Sequence, residues 1–224
     1  MLEGQKCLVI GSGISGIGAA VLLEKNHADV VLYDSSDKLT KEDLEAKLPG
    51  ESKAVCIAGE LPEEVELSIQ AAVLSPGVPT DIPLVNRMRD RGVQILGEIE
   101  LGFLAEQGRV IAITGTNGKT TTTTLTGEIM KAHFGAEKTF VVGNIGNPYT
   151  LEVTKTSKDS VTVGEISSFQ LETIHTFHPV VSAILNITPD HLNRHHTMEA
   201  YVAAKEAVAS HPVSYTHLRA HETL

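Results

Sequence analysis

A chain of 224 residues, 42% apolar and 21% charged, is long enough for one large or two modest globular domains with real cores. Its formal net charge of -10 leaves no basic surface to neutralise a polyanion, which excludes broad nucleic-acid or anionic-membrane binding. Aromatics make up 4% with no Trp, so the core has to be built from Val, Ile, Leu and Ala.

In chain order, short apolar runs alternate with helical stretches. The first run, Lys6–Ile10, leads into Gly11-Ser12-Gly13-Ile14-Ser15-Gly16 and then a helix. Glycines there let the backbone turn tightly and approach a diphosphate, which the free N–H groups of the helix start can hold. The second run, Val30–Tyr33, ends at Asp34, where an acidic group is placed for a ribose hydroxyl. By itself this pattern leaves NAD, FAD, another nucleotide or a ligand-free turn all open. Ala54–Ala58, Ala71–Leu74 and Val93–Leu96 complete a first series, with Ser75-Pro76-Gly77 after the fourth run. A boundary falls near Gly97–Gly102.

The second series opens with Val110–Ile113, followed by Thr114-Gly115-Thr116-Asn117-Gly118-Lys119-Thr120-Thr121. Such a loop cradles phosphates with backbone N–H groups, while Lys119 meets the outer phosphates and the Thr120 hydroxyl can hold Mg2+. The strict pattern needs Gly where this chain has Ile113, so the loop is a variant in the right strand–loop–helix context. Thr139–Val142, Ser160–Val163 and Val180–Leu185 follow. Glu165 closes one of these runs and is placed for magnesium, a cation that favours oxygen ligands. Asn186-Ile187-Thr188-Pro189-Asp190-His191 follows the last run; beside a nucleotide site, His191 is a candidate metal or substrate ligand. In Thr197–Ala209, Met198, Tyr201, Val202, Val208 and Ala209 form one helical stripe with Lys205 in its middle. Burial would lower its pKa and leave a neutral amine able to take up carbon dioxide as a carbamate; the alternative is a lysine snorkelling to the surface.

Runs that are apolar throughout indicate strands buried on both faces, hence an α/β protein with parallel sheets. Ligands gather at the carboxyl ends of such strands, so Gly11, Asp34, Ser75, Thr114, Asn144, Glu165 and Asn186 should converge on two clefts. Cys7 and Cys56 sit inside apolar runs and read as distant buried thiols. The N-terminus lacks a basic stretch and cleavage site, and no apolar run approaches the roughly 20 residues of a membrane span. A cytoplasmic, monomeric protein without membrane insertion is the expectation.

Taken together, TGTNGKTT, Gly143-Asn144-Ile145-Gly146, EISSFQLE, NITPDH and a Tyr-x-Ala-Ala-Lys helix, in this order, resemble the Mur ligases, and SSFQLE with GNIG resembles their D-glutamate-adding type. The resemblance spans about residues 5 to 208. It implies a Rossmann-like UDP-substrate domain over 1–97 and an incomplete phosphate-loop ATPase domain over 98–210. It also implies UDP-N-acetylmuramoyl-L-alanine, D-glutamate and ATP as substrates, joined through an acyl phosphate. Gly13, Ile14, Ser15, Asp34, Ser35 and Ser75 would then hold uridine and diphosphate, with Asn144 and Ser167 at the muramoyl-alanine end. Gly115, Thr116, Asn117, Gly118, Lys119, Thr120 and Thr121 would bind ATP. Thr120, Glu165, His191 and a carbamylated Lys205 would organise Mg2+, and Lys119, Glu165, His191 and Lys205 would be the catalytic set. Family members run to about twice this length and carry a third, amino-acid-binding domain. Residues 211–224 look like foreign read-through, and the expectation is an inactive, truncated ligase whose second sheet has an exposed apolar edge.

Overall fold

The computed structural model describes residues 2–210, so the reading of 211–224 as a foreign tail lies outside the described residues. Nine strands form two wholly parallel sheets. The first has five strands, β1 (Lys6–Ile10), β2 (Asp29–Asp34), β3 (Val55–Ala58), β4 (Ala71–Leu74) and β5 (Gln94–Gly97), in the order β3-β2-β1-β4-β5. The second has four, β6 (Arg109–Thr114), β7 (Thr139–Gly143), β8 (Val161–Glu165) and β9 (Val181–Ile184), in the order β7-β8-β6-β9. Each strand overlaps an apolar run of the sequence; β1 and β4 coincide with theirs and the others differ by a residue or two at the ends.

Helices cross between the strands. In the first lobe they are α1 (Ile14–Lys25), α2 (Lys41–Glu45), α3 (Glu63–Ser68), α4 (Pro83–Asp90) and α5 (Glu98–Ala105). In the second they are α6 (Lys119–Phe134), α7 (Tyr149–Glu152), α8 (Ser168–Leu171), α9 (Leu192–His195) and α10 (Met198–Glu206). Local chemistry fixes their starts. Thr40 and Asp43 form a capping box on α2, Ser167 and Gln170 form one on α8, and Thr197 caps α10 through Ala200 N–H.

The two sheets share one core. Cys7, Val9 and Leu32 belong to the same apolar cluster as Val110, Ala112, Val142 and Tyr149. The segment read as a boundary is therefore no loose linker: Glu98 to Gly102 of α5 are all buried, and α5 packs on α7. Carboxylates, two buried and one half-buried, fasten this junction. Glu100 accepts from the N–H groups of His175, Thr176 and Phe177 and from the Thr176 hydroxyl. Glu106 accepts from the Tyr149 and Thr162 hydroxyls. Glu98 accepts twice from Thr150 through one oxygen while the other has no partner, and burial pushes its pKa up. Both cysteines are buried free thiols, and burial, with Asp29 adding to it, pushes Cys7 up to about 11. No helix among the described residues is long and apolar enough to cross a membrane.

Candidate functional site

The glycine loop joins β1 to α1. Gly16 has to be glycine, because a Cβ there would collide with the Gly11 carbonyl. Helix α1 starts with no side-chain cap and no acidic residue in its first turn, which leaves its N–H groups free for an anion. The Ser75 hydroxyl donates to Gly11 O at 3.1 Å and ties the β4 loop to the glycine loop. One Asp34 oxygen accepts from Ser12 N–H at 2.9 Å and Ser12 Oγ at 2.6 Å; the other accepts from Ser36 N–H. Burial alone would raise the Asp34 carboxyl. The hydrogen bonds from Ser12 and Ser36, with the charge of Lys47, outweigh it and hold the group below its ordinary value. Asp34 thus stays ionised and sets the shape of the loop.

These loops line a cleft of 440 Å³. Gly13, Ile14, Ser15, Asp34, Ser75 and Asn144 all line it, as the sequence-based site expects, whereas Ser35 and Ser167 do not. Ser167 instead spends its hydroxyl on the α8 capping box, and its partner Gln170 faces the cleft. The strand ends do not divide by sheet, and Thr114, Glu165 and Asn186 do not line this cleft. Asn144, from the second sheet, sits in one cleft with Gly11, Asp34 and Ser75 from the first.

Asn144 leads to the second half of the site, donating through Nδ2 to Glu165 Oε1 at 2.9 Å. Glu165 is buried and its Oε2 has no partner among the described residues; Thr114 Oγ1, at the end of the adjacent strand β6, is likewise buried and unpaired among them. The phosphate loop lies between β6 and α6. Gly118 caps α6 at φ 79°, a left-handed conformation that a side chain would strain, and the helix start carries no side-chain cap and no acidic residue. The loop is clamped by the segment after β9. Thr116 N–H donates to Asn186 O, Asn117 N–H to Asn186 Oδ1, and Asn186 Nδ2 to Asn117 O. Thr116 Oγ1 accepts from Thr188 N–H and lies 3.0 Å from the Tyr201 hydroxyl.

Two lysines meet on one carbonyl. Lys119 Nζ donates to Gly115 O at 3.0 Å and to Thr116 O at 2.9 Å; Lys205 Nζ donates to the same Gly115 O at 2.9 Å. Lys205 is 2% exposed, with Tyr201 and Val208 of its stripe also buried, and its ammonium sits 4.7 Å from the Tyr201 ring centroid. Burial, then the nearby Lys119 charge, lowers its pKa to about 8 against a weaker opposite pull from Asp190. His191 is exposed at φ 52°, hydrogen-bonded to Asp190 through its own N–H and leaning on Phe169. No three His, Cys, Asp or Glu side chains gather as a metal cluster among the described residues.

Two family models cover the chain: the Mur ligase MurD-like N-terminal domain over residues 5–97, and the Mur ligase middle domain over residues 113–218. The chain belongs to the Mur ligase family. It is 57% identical over 208 residues to a UDP-N-acetylmuramoylalanine--D-glutamate ligase of Lachnospira eligens, covering 93% of this chain and 46% of that protein. It is 46% identical over 205 residues to the protein of that name from Clostridioides difficile, covering 91% and 45%. The chain thus spans a little under half the length of these relatives. In fold it is similar to the Mur ligase UDP-N-acetylmuramate:L-alanyl-gamma-D-glutamyl-meso-diaminopimelate ligase of Neisseria meningitides. That likeness has TM-score 0.59 and 15% identity, and covers 94% of this chain and 69% of that one.

Sequence pattern gives Gln170, Asn186 and Tyr201 no individual role. Gln170 and Asn186 stand inside the EISSFQLE and NITPDH motifs, which is the signal that points to them; Tyr201 shows only as part of an apolar stripe.

Proposed function

We propose that the chain is the nucleotide-binding part of an ATP-dependent ligase that adds D-glutamate to UDP-N-acetylmuramoyl-L-alanine. The observation that carries the reading is the cleft shared by both lobes. One end is the glycine loop and the free start of α1; the other is Asn144, which is hydrogen-bonded to Glu165 beside the phosphate loop. A long substrate with a nucleotide at one end and a carboxylate at the other suits such a cleft. Uridine and diphosphate would lie against Gly13, Ile14, Ser15 and Ser75, and the carboxylate end near Asn144. ATP phosphates would take the start of α6, with Lys119 exchanging its bonds to Gly115 O and Thr116 O for phosphate oxygens.

Mg2+ would supply positive charge against the phosphates. Unpaired buried oxygens on Glu165 and Thr114, at the ends of adjacent strands, fit a hard cation that takes oxygen ligands. Glu165, the Thr120 hydroxyl, His191 and a carbamylated Lys205 are the proposed holders. Lys205 suits that modification because its pKa near 8 gives far more neutral amine at neutral pH than an ordinary lysine has. The carboxylate of the bound substrate attacks the γ-phosphate of ATP, releasing ADP and forming an acyl phosphate. The amine of D-glutamate then displaces phosphate. The contribution of these residues is positioning and charge.

Calorimetric titration of the purified chain tests this, with UDP-N-acetylmuramoyl-L-alanine, ATP with Mg2+, and NADH as separate ligands. Binding of the first two but not NADH is the expected result. Binding of NADH alone would overturn the reading in favour of a dinucleotide site. Binding of the UDP compound without ATP would leave a non-catalytic nucleotide-sugar-binding protein.

A further inference from the structure

The polar residues that line the 440 Å³ cleft include Ser12, Ser15, Asp34, Ser75, Asn144 and Gln170, and no cation is among them. Asp34 adds a negative charge where a nucleoside diphosphate would bring several more. The free N–H groups at the start of α1 carry only partial charge, and the whole chain has a net charge of -10. A full positive charge just outside the wall would offset what the helix start leaves uncompensated.

Lys47 is placed to give it. Its ammonium donates to Ser12 O at 3.3 Å and to Ser12 Oγ at 3.1 Å, on the loop residue just before Gly13, the N-cap of α1. The backbone that carries it is fixed. Helix α2 is held by the Thr40–Asp43 capping box and by Leu44, which is fully buried, and Lys47 N–H closes the helix end onto Leu44 O. The side chain itself is solvent-accessible. An anchored base with a mobile, hydrated arm lets the ammonium move from Ser12 to a nearby oxygen at little cost.

We propose that Lys47 is the counter-charge of the diphosphate. Its ammonium moves from Ser12 to a phosphate oxygen when a nucleoside diphosphate occupies the glycine loop, so the cleft distinguishes the diphosphate from the bare nucleoside. This rests on the uridine-nucleotide reading of the cleft. The competing role is purely architectural: Lys47 would neutralise Asp34 and hold Ser12, with no contact to the ligand.

The experiment compares the full chain with its Lys47→Met and Lys47→Arg variants. UDP is titrated calorimetrically at low and high salt, uridine is followed by ligand-observed NMR, and thermal unfolding checks the fold of each variant. The expected result is that Lys47→Met weakens UDP about tenfold and flattens its salt dependence, as losing one partly screened charge-assisted contact should. Uridine affinity stays the same, and Lys47→Arg keeps most of the UDP affinity. Equal weakening of UDP and uridine, or no weakening of UDP, would overturn the assignment and leave the uridine reading intact. Failure of the unaltered chain to bind UDP would overturn both.

Discussion

The two sheets follow one construction rule, parallel strands joined by crossing helices, but they are covered to different degrees. On its outer face the first sheet buries ten residues, among them Leu8, Ile10, Val31, Val85 and Met88. Among the described residues, the corresponding cluster on the second sheet has three, Ile113, Val161 and Val163. Its last strand, β9, is an edge whose Val181 is 53% exposed, and Leu125 and Ile129 of α6 are also exposed. What joins the lobes is better packed than what closes the second one. Among the described residues the second sheet therefore depends on the shared core and on the carboxylates of α5, and β9 is an apolar edge.

The sharpest way to break this contrast is to cut the same kind of side chain from each lobe. Leu8→Ala, in the centre of the first sheet, should cost about 3 kcal/mol in urea unfolding, because it leaves a cavity in a closed core. Val181→Ala on β9 should cost under about 0.5 kcal/mol, since that side chain is already half in water. Equal costs would mean that Val181 is as well buried as Leu8. Next in size is Glu100→Gln, which turns a carboxylate serving four donors into an amide that brings two donors of its own. It should lower stability by about 2 kcal/mol and loosen hydrogen-exchange protection around His175–Phe177 before any change appears in β1.

Lys205 adds a pH dependence that belongs to the second lobe alone. Its folded pKa, about 8, lies below the ordinary lysine value of 10.5, so between those values the unfolded chain binds the extra proton. Stability from this group is therefore at its lowest below about pH 8 and recovers as pH rises toward 10.5. Lys205→Met removes that penalty. In buffer free of carbon dioxide the variant should exceed the parent by about 1 kcal/mol at pH 7, after its lost bond to Gly115 O is allowed for. The advantage should shrink through pH 8 to 10.5. A constant difference across that range would show that the ammonium is well solvated. The smallest effect on stability is expected from Val181→Lys, within about 0.5 kcal/mol, yet it should reduce light scattering on concentration by placing a charge on the open edge.

Much of this molecule was legible from residues alone. Each apolar run is a strand within a residue or two, because strands buried on both faces need continuous apolar sequence and their ends need glycine or polar residues. Both glycine-rich loops stand between a strand and a helix, as their compositions require. Lys205 was expected among apolar neighbours because helical spacing places it there, and it is buried. Which residues face each other across the lobes was not legible. Local pattern does not encode that Asn144 of the second sheet completes a cleft begun by Gly11, Asp34 and Ser75; only the family resemblance placed it there. Local pattern also does not encode that Gln170 rather than Ser167 faces that cleft, or that Asn186 clamps the phosphate loop. The same holds for Lys47, which reaches Ser12 across 35 residues of chain. Periodicity and turn chemistry act over a few neighbouring residues, so the sequence by itself determined the elements and their strand-end chemistry. The cleft shared by both sheets was decided by the tertiary structure, because it depends on how α5 and α7 dock one sheet against the other.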